Sequence, residues 1–376
     1  VTILVAPDKF KGTLTAAEAA EAIADGLAGL GLPVVRMPVA DGGDGTVDAV
    51  AAAGFARRTA TVTGPAGGPV AASYAVRGTT AVIELAEASG LRRLPGGRPC
   101  PLTATTRGTG ELVDAALRGG ATRIVLGLGG SATTDGGAGL AAALGARFRD
   151  AAGNPLPPGG AALRDLADLD LGAVRARLRG AEIVVATDVD NPLLGPDGAA
   201  AVFGPQKGAT PGDVAVLEAG LARLAALAPD PAAARRPGAG AAGGAGFAAL
   251  AFLGATVRPG IDYLLDLIGF AEKLADATVV ITGEGSLDHQ SLRGKAPYGV
   301  ARAAARAGVP VVALAGRSEL GAAEARQAGF AAVRTLTSLV PPGAGDPLAW
   351  IVANGPAQML RALAASIARD LPGGPW

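Results

Sequence analysis

Six segments of the 376-residue chain concentrate the groups that could do chemistry. They are Ala6-Pro7-Asp8-Lys9-Phe10-Lys11-Gly12-Thr13, Ala40-Asp41-Gly42-Gly43-Asp44-Gly45-Thr46, Gly129-Gly130-Ser131-Ala132-Thr133-Thr134-Asp135-Gly136-Gly137, Asp188-Val189-Asp190-Asn191-Pro192-Leu193, Phe203-Gly204-Pro205-Gln206-Lys207-Gly208, and Thr282-Gly283-Glu284-Gly285-Ser286-Leu287-Asp288-His289-Gln290 followed by Arg293-Gly294-Lys295. Together they hold glycine-rich backbone, carboxylates and lysines. Phosphoryl transfer needs those parts: donors on the phosphates, a metal to bridge them, and a carboxylate that orients or deprotonates the acceptor hydroxyl.

The glycine run 129–137 leaves a hydrophobic strand and opens a helix, so its backbone N–H groups are expected to face an anion. Asp135 there either holds a metal ion or caps the helix. Lys9 and Lys11, two residues apart, point the same way if the turn is extended. Asp41 and Asp44 among glycines suit a metal, a substrate hydroxyl or turn capping. Asp188 and Asp190 share one side of an extended chain, and with Gln206 and Lys207 downstream they suit a polyanion with Mg²⁺. Glu284, Asp288 and Lys295 follow another strand. His289 reads more readily as a surface group than as a catalytic one.

Composition narrows the choices. Five lysines, at 9, 11, 207, 273 and 295, stand among 33 basic residues. A GC-rich coding bias explains the arginines; a lysine kept against it is expected where a compact point charge is needed. Of the four in glycine- or proline-marked segments, at least three are therefore candidates for ligand contact. One cysteine, Cys100, and one histidine, His289, exclude an internal disulfide and Cys- or His-cluster metal sites. A formal net charge of zero argues against a nucleic-acid surface. No apolar run of about 18 residues predicts a membrane span. The apolar start at Val1–Ala6 reads as a strand ending at Pro7 rather than a secretory leader, so a cytoplasmic protein is expected. No P-loop string is present, because Gly294-Lys295-Ala296 lacks the hydroxyl and the upstream spacing. Gly238-Ala239-Gly240-Ala241-Ala242-Gly243 matches the dinucleotide fingerprint by letter but follows no strand, and it reads as composition.

The elements that must carry these segments alternate. Thr2–Ala6 predicts a strand, Thr15–Leu30 a helix with Thr15 and Glu18 at its start, Val34–Val39 a strand and Thr46–Ala53 a helix. Thr59–Thr63, Val70–Val76 and Ala81–Leu85 read as antiparallel strands. Gly108–Arg118, Gly136–Leu144 and Val214–Ala228 predict helices, and Arg123–Leu128 and Ile183–Thr187 strands. Pro229–Gly246, low-complexity Ala, Pro, Gly and Arg, predicts a mobile loop. Then come strand Ala277–Thr282, helix Ala296–Ala307, strand Val309–Ala315 and helix Leu348–Arg369. This order predicts an α/β protein of two domains. A Rossmann- or flavodoxin-like parallel sheet domain is formed by both chain ends, residues 1–62 plus 277–376. Residues 63–276 form an inserted mixed-sheet α/β domain. The spread of the segments suggests a cleft between domains that closes around substrate.

The strings Ala6-Pro7-Asp8-x-Phe10-Lys11-Gly12, Ala40-Asp41-Gly42-Gly43-x-Gly45-Thr46, Gly129-Gly130-Ser131-Ala132-Thr133-x-Asp135-Gly136-Gly137, Asp188-Val189-x-Asn191-Pro192-Leu193, Gly204-Pro205-Gln206-Lys207-Gly208 and Thr282-Gly283-Glu284-Gly285-x-Leu287-Asp288-x-Gln290 resemble, in order and over nearly the whole chain, the bacterial glycerate kinase family. Lys9, Asp44, Thr134 and Arg107 depart from the usual serine, glutamate, asparagine and tyrosine. The resemblance implies ATP and Mg²⁺ as cofactors and D-glycerate as substrate, phosphorylated at O2 to 2-phospho-D-glycerate, in a monomer or homodimer. The residues expected to carry catalysis are Asp188, Asp190, Lys11 and Lys207. Lys9, Asp41, Gly129, Gly130, Ser131, Asp135, Asn191, Gln206, Glu284, Asp288, Gln290 and Lys295 are expected to bind substrate or nucleotide, and Asp188, Asp190 and Glu284 to hold the metal. The alternatives are a glycerate 3-kinase or a kinase of a related hydroxy acid, a dinucleotide-dependent oxidoreductase, and a non-catalytic glycerate sensor.

Overall fold

A computed structural model describes residues 2–289 and 294–368. Its strands, in chain order, are β1 (Ile3–Pro7), β2 (Val34–Arg36), β3 (Ala56–Thr63), β4 (Pro69–Arg77), β5 (Thr80–Glu84), β6 (Arg123–Gly127), β7 (Arg147–Arg149), β8 (Asp168–Asp170), β9 (Glu182–Ala186), β10 (Thr256–Arg258), β11 (Val279–Leu287), β12 (Val311–Ser318) and β13 (Phe330–Thr335). The chain divides into two compact units. The first holds Val1–Asp41, Asp48–Gly54 and Ile261–Trp376, and the second holds Gly42–Val47 and Phe55–Gly260.

In the first unit the sheet runs β13-β12-β11-β1-β2 with every pairing parallel. Counted in chain order within the unit, that is the flavodoxin-like 2-1-3-4-5 arrangement. β1 is buried over its whole length, as an apolar strand covered on both faces should be. Helix Ala16–Leu27 follows it and turns Ala19, Ala20, Ile23 and Leu27 inward at helical spacing. Its capping box forms as expected: Glu18 N–H donates to Thr15 Oγ1 at 3.2 Å and Thr15 N–H to Glu18 Oε2 at 2.8 Å. The order of strands reverses between β1 and β11. In such sheets that is where the crevice at the strands' carboxyl ends takes a ligand.

In the second unit the sheet runs β10-β9-β6-β5-β4-β3. β3, β4 and β5 are antiparallel, as expected, and β5, β6, β9 and β10 are parallel. β7 and β8 form a separate antiparallel pair.

Several expectations need correction. The chain passes between the units at Asp41–Gly42, Val47–Asp48, Gly54–Phe55 and Gly260–Ile261, where the sequence places boundaries at 62–63 and 276–277. β3 pairs with β4 from Ala56 to Thr63, which ties the whole strand to the second sheet. The Leu348–Arg369 helix is two, Pro347–Ala353 and Pro356–Ile367, since Gly355 and Pro356 interrupt it. β11 does not stop at Thr282 but carries Glu284 within the strand. Pro229–Gly246 is not a loose loop. It contains a 3₁₀ turn at Pro231–Arg235 and the start of helix Ala241–Ala251, and residues 238–249 are buried. Its small residues reflect close backbone contact: a Cβ on Gly243 would collide with the Thr133 carbonyl.

Candidate active site

In the first unit β1 delivers Asp8 to the reversal point. Asp8 N–H donates to Gly283 O on β11 at 2.8 Å, so Asp8 lies beside Glu284. The Phe10 ring is buried against Gly283 and anchors the following turn. Lys9 and Lys11, on either side of Phe10, are half-buried and exposed respectively. Lys9 Nζ lies 3.8 Å from Asp8 Oδ1, and the Lys9 N–H donates to the same oxygen at 2.7 Å.

Asp8 is only 5% exposed. Burial pushes its carboxyl up to about 7; the Lys9 ammonium opposes this, while the nearby Asp41 and Glu284 carboxylates add to it. Lys295, at the N-cap of helix Ala296–Arg306, reaches Asp288 Oδ1 at 3.4 Å and Glu284 Oε2 at 3.9 Å. Asp8, Lys9, Asp41, Glu284, Asp288 and Lys295 therefore form one charged group at the carboxyl edge of the sheet. His289 is exposed, and Gln290 lies outside the described residues.

In the second unit the turn Gly42–Val47 rests on the carboxyl ends of β6 and β9. Gly129 N–H donates to Gly42 O at 3.3 Å, and Gly42, at φ 90°, leaves no room for a Cβ beside Ala186 O. The turn is pinned by Glu84, which ends β5 and accepts from Val47 N–H at 3.1 Å and from Gly45 N–H. Burial raises the Glu84 carboxyl to about 7. Asp44 pairs with exposed Arg92 at 3.1 Å.

The run 129–137 splits into two parts. Gly129 and Gly130 reach solvent, whereas Ser131–Gly137 are buried. Asp135 is wholly buried, and its carboxylate accepts from Thr106 N–H (2.8 Å), Thr106 Oγ1 (2.9 Å), Gly137 N–H (3.1 Å) and Gly139 N–H (3.2 Å). Of the run's own N–H groups, that of Gly137 goes to this internal carboxylate, and those of Ala132 and Gly136 go to the carbonyls of Ser89 and Gly243. Burial raises the Asp135 carboxyl and the four hydrogen bonds hold it down. Of the two roles open to Asp135, the structure supports capping.

Lys207 is also buried, at 2% exposure, and its Nζ donates to Thr133 O at 2.6 Å. Burial lowers its ammonium to about 7, against the pull of Asp135. Lys207, one of the lysines expected near ligand, grips backbone in this structure. Asp188 Oδ1 accepts from Gly260 N–H at 2.9 Å, the first residue of helix Gly260–Ile268. Asp190 and Gln206 are exposed, and Asn191 Nδ2 donates to Asp197 O at 2.8 Å. Arg107 pairs with Glu111 at 3.0 Å and, with Phe148 and Leu156, lines a separate cavity of ≈ 180 Å³.

Among the described residues no three His, Cys, Asp or Glu side chains gather as a metal cage would require. Mg²⁺ needs less, because one or two carboxylates suffice when phosphates and water complete its octahedron. Asp188 and Asp190, half-buried and exposed at the carboxyl end of β9, are oxygen donors of that kind.

Two carboxylates escape sequence reasoning. Asp8 sits within a recognised string, but the lysines beside it draw the attention. Glu84 is hidden as the last residue of an apolar strand, and only the long-range contact to Val47 discloses it.

Known proteins match this chain over most of its length. The family model described as glycerate kinase family matches residues 3–371. A glycerate kinase of Bacillus subtilis (strain 168) is 48% identical over 322 residues, covering 84% of each chain. A glycerate 2-kinase of Escherichia coli (strain K12) is 47% identical over 324 residues, again 84% of each. A crystal structure assigned as a glycerate kinase 2 from Salmonella typhimurium LT2 superposes with a TM-score of 0.82 at 42% identity, covering 100% of this chain and 99% of that one.

Proposed function

The chain belongs to the glycerate kinase family, and from that premise we propose that it phosphorylates D-glycerate at O2 with ATP and Mg²⁺, releasing 2-phospho-D-glycerate and ADP. The observation that carries the reading is the carboxylate and lysine group at the reversal point of the flavodoxin-order sheet. A buried carboxyl at a strand's end, raised to about 7, is suited to take the proton of an attacking hydroxyl. In this reading Asp8 takes that role ahead of Asp188 and Asp190, supported by its burial among like charges. Lys9, Lys11 and Lys295 are the cations for glycerate carboxylate and phosphate oxygens. Gly130, at the exposed end of that turn, offers backbone to an anion, beside Gly129 whose N–H is held by Gly42 O.

Magnesium, when bound with the nucleotide, neutralises charge on the phosphoryl oxygens. Asp188 and Asp190 would hold it. The test is turnover of a panel of small hydroxy acids with MgATP, with phosphorus NMR of the product. A 2-phospho ester from D-glycerate is expected. A 3-phospho ester, or turnover of another acid in preference, sinks the substrate assignment; no ADP from any acid sinks the kinase reading.

A further inference from the structure

The stretch Gly238–Gly246, which sequence composition dismisses, contains the most unusual backbone among the described residues. Ala242 (φ 52°, ψ 41°), Gly243 (φ 68°, ψ 32°) and Gly244 (φ 91°, ψ 4°) are three left-handed residues in succession, all buried. Ala242 is the only non-glycine with positive φ among the described residues. Such conformations persist only where the surroundings over-determine them. Here they turn Gly243 O toward Gly136 N–H, at 3.0 Å, and lay the Gly243 backbone against the Thr133 carbonyl.

Lys207 Nζ donates to that same Thr133 carbonyl, and Asp135 fixes the other end of the turn through Thr106. The buried part of the 129–137 run is thus clamped by a left-handed turn, a lysine and a carboxylate. Its exposed part, Gly129–Gly130, continues directly from the clamped segment. The clamp also holds the buried hydroxyls of Thr133 and Thr134, neither of which has a hydrogen-bond partner among the described residues.

We propose that Lys207 is a positioning residue: braced by the Ala242–Gly244 turn, it acts through the Thr133 carbonyl to hold the Gly129–Thr134 turn, and it touches neither phosphate nor glycerate. The catalytic part of this inference rests on the kinase reading above; the mechanical part does not.

The experiment compares Lys207→Met and Lys207→Arg with the wild-type enzyme by amide hydrogen exchange and by steady-state kinetics. In Lys207→Met, amides of Ser131–Gly137 should exchange at least about tenfold faster while those of β1 and β11 do not change. With MgATP and glycerate, kcat should fall about tenfold or more, KM for both substrates staying within about threefold. Lys207→Arg, which keeps a cationic donor, should recover part of kcat. If Lys207→Met fails to fold, Lys207→Arg carries the test by the same split, with lowered kcat at nearly constant KM. A KM raised tenfold or more at unchanged kcat overturns the proposal, since it marks a residue that binds ligand. Unchanged exchange in Ser131–Gly137 overturns it as well. Wild-type enzyme without kinase activity would defeat the kinase reading alone, and the exchange result would still judge the clamp.

Discussion

Replacing Asp8 by asparagine should make the protein more stable and nearly inactive at once. The ordinary carboxyl value is 3.8, and burial raises that of Asp8 to about 7. At about 1.4 kcal/mol per pH unit, holding the ionised form in the folded state costs about 4 kcal/mol at high pH, an upper bound if water relaxes around it. The sign follows from proton binding. Between pH 3.8 and about 7 the folded state holds the Asp8 proton and the unfolded state has released it. Stability therefore falls as pH rises through that window and levels off above it. Asparagine resembles the protonated carboxyl and carries no such dependence. The stability advantage of Asp8→Asn over wild type should therefore grow by about 2–3 kcal/mol between about pH 5 and pH 8. For a unit of this size that corresponds to roughly 5–10 °C in Tm. The assay is thermal melting of both proteins across that range without nucleotide or metal, alongside turnover at pH 8. Loss of a proton-taking carboxylate should lower kcat by about 10²-fold or more. A stability difference that does not vary with pH refutes the burial argument, and near-normal kcat refutes the role of Asp8.

Three smaller perturbations follow from the same contacts. Glu84→Ala leaves the N–H groups of Gly45 and Val47 without their acceptor and should cost about 1–3 kcal/mol in urea titration; a loss under about 0.5 kcal/mol would mean the turn does not depend on it. Ala242→Gly removes a left-handed strain of about 1–2 kcal/mol and adds a glycine entropy cost of about 0.5–1 kcal/mol. Its Tm should match or slightly exceed wild type, and a fall of several degrees would refute the strain assignment. Thr15→Ala deletes one side of the capping box on helix Ala16–Leu27 and should cost about 1 kcal/mol, read from the same titration; no loss would show that the helix is held by its buried face alone.

Much of the layout was legible because it is written in local periods. Ile3–Ala6 is uniformly apolar, so it had to be an interior strand. Thr15 with Glu18 marks a helix start that forms as expected. The antiparallel strands between Ala56 and Glu84 announce themselves by their Gly and Pro punctuation. The turns Gly129–Gly137 and Asp188–Leu193 were legible after the apolar strands that precede them, for the same reason. Low complexity misled at Pro229–Gly246, because alanine and glycine mark two opposite situations. A solvated linker uses them for freedom, and a crowded interior uses them for clearance.

The sequence by itself determined which side chains were available: few lysines, several carboxylates at strand ends, and glycines where the backbone turns. Only tertiary structure decided what each one meets. Lys207 and Lys9 look alike in sequence, yet one is sealed against the Thr133 carbonyl and the other borders the Asp8 group. Asp135 and Asp8 are both acids beside glycines, yet one caps backbone N–H groups and the other sits among like charges. The reason is that a side chain's charge state and reach are set by burial and by neighbours far away along the chain. Strand register brings Asp8 and Glu284 together across more than half of the sequence, and no local pattern records that distance.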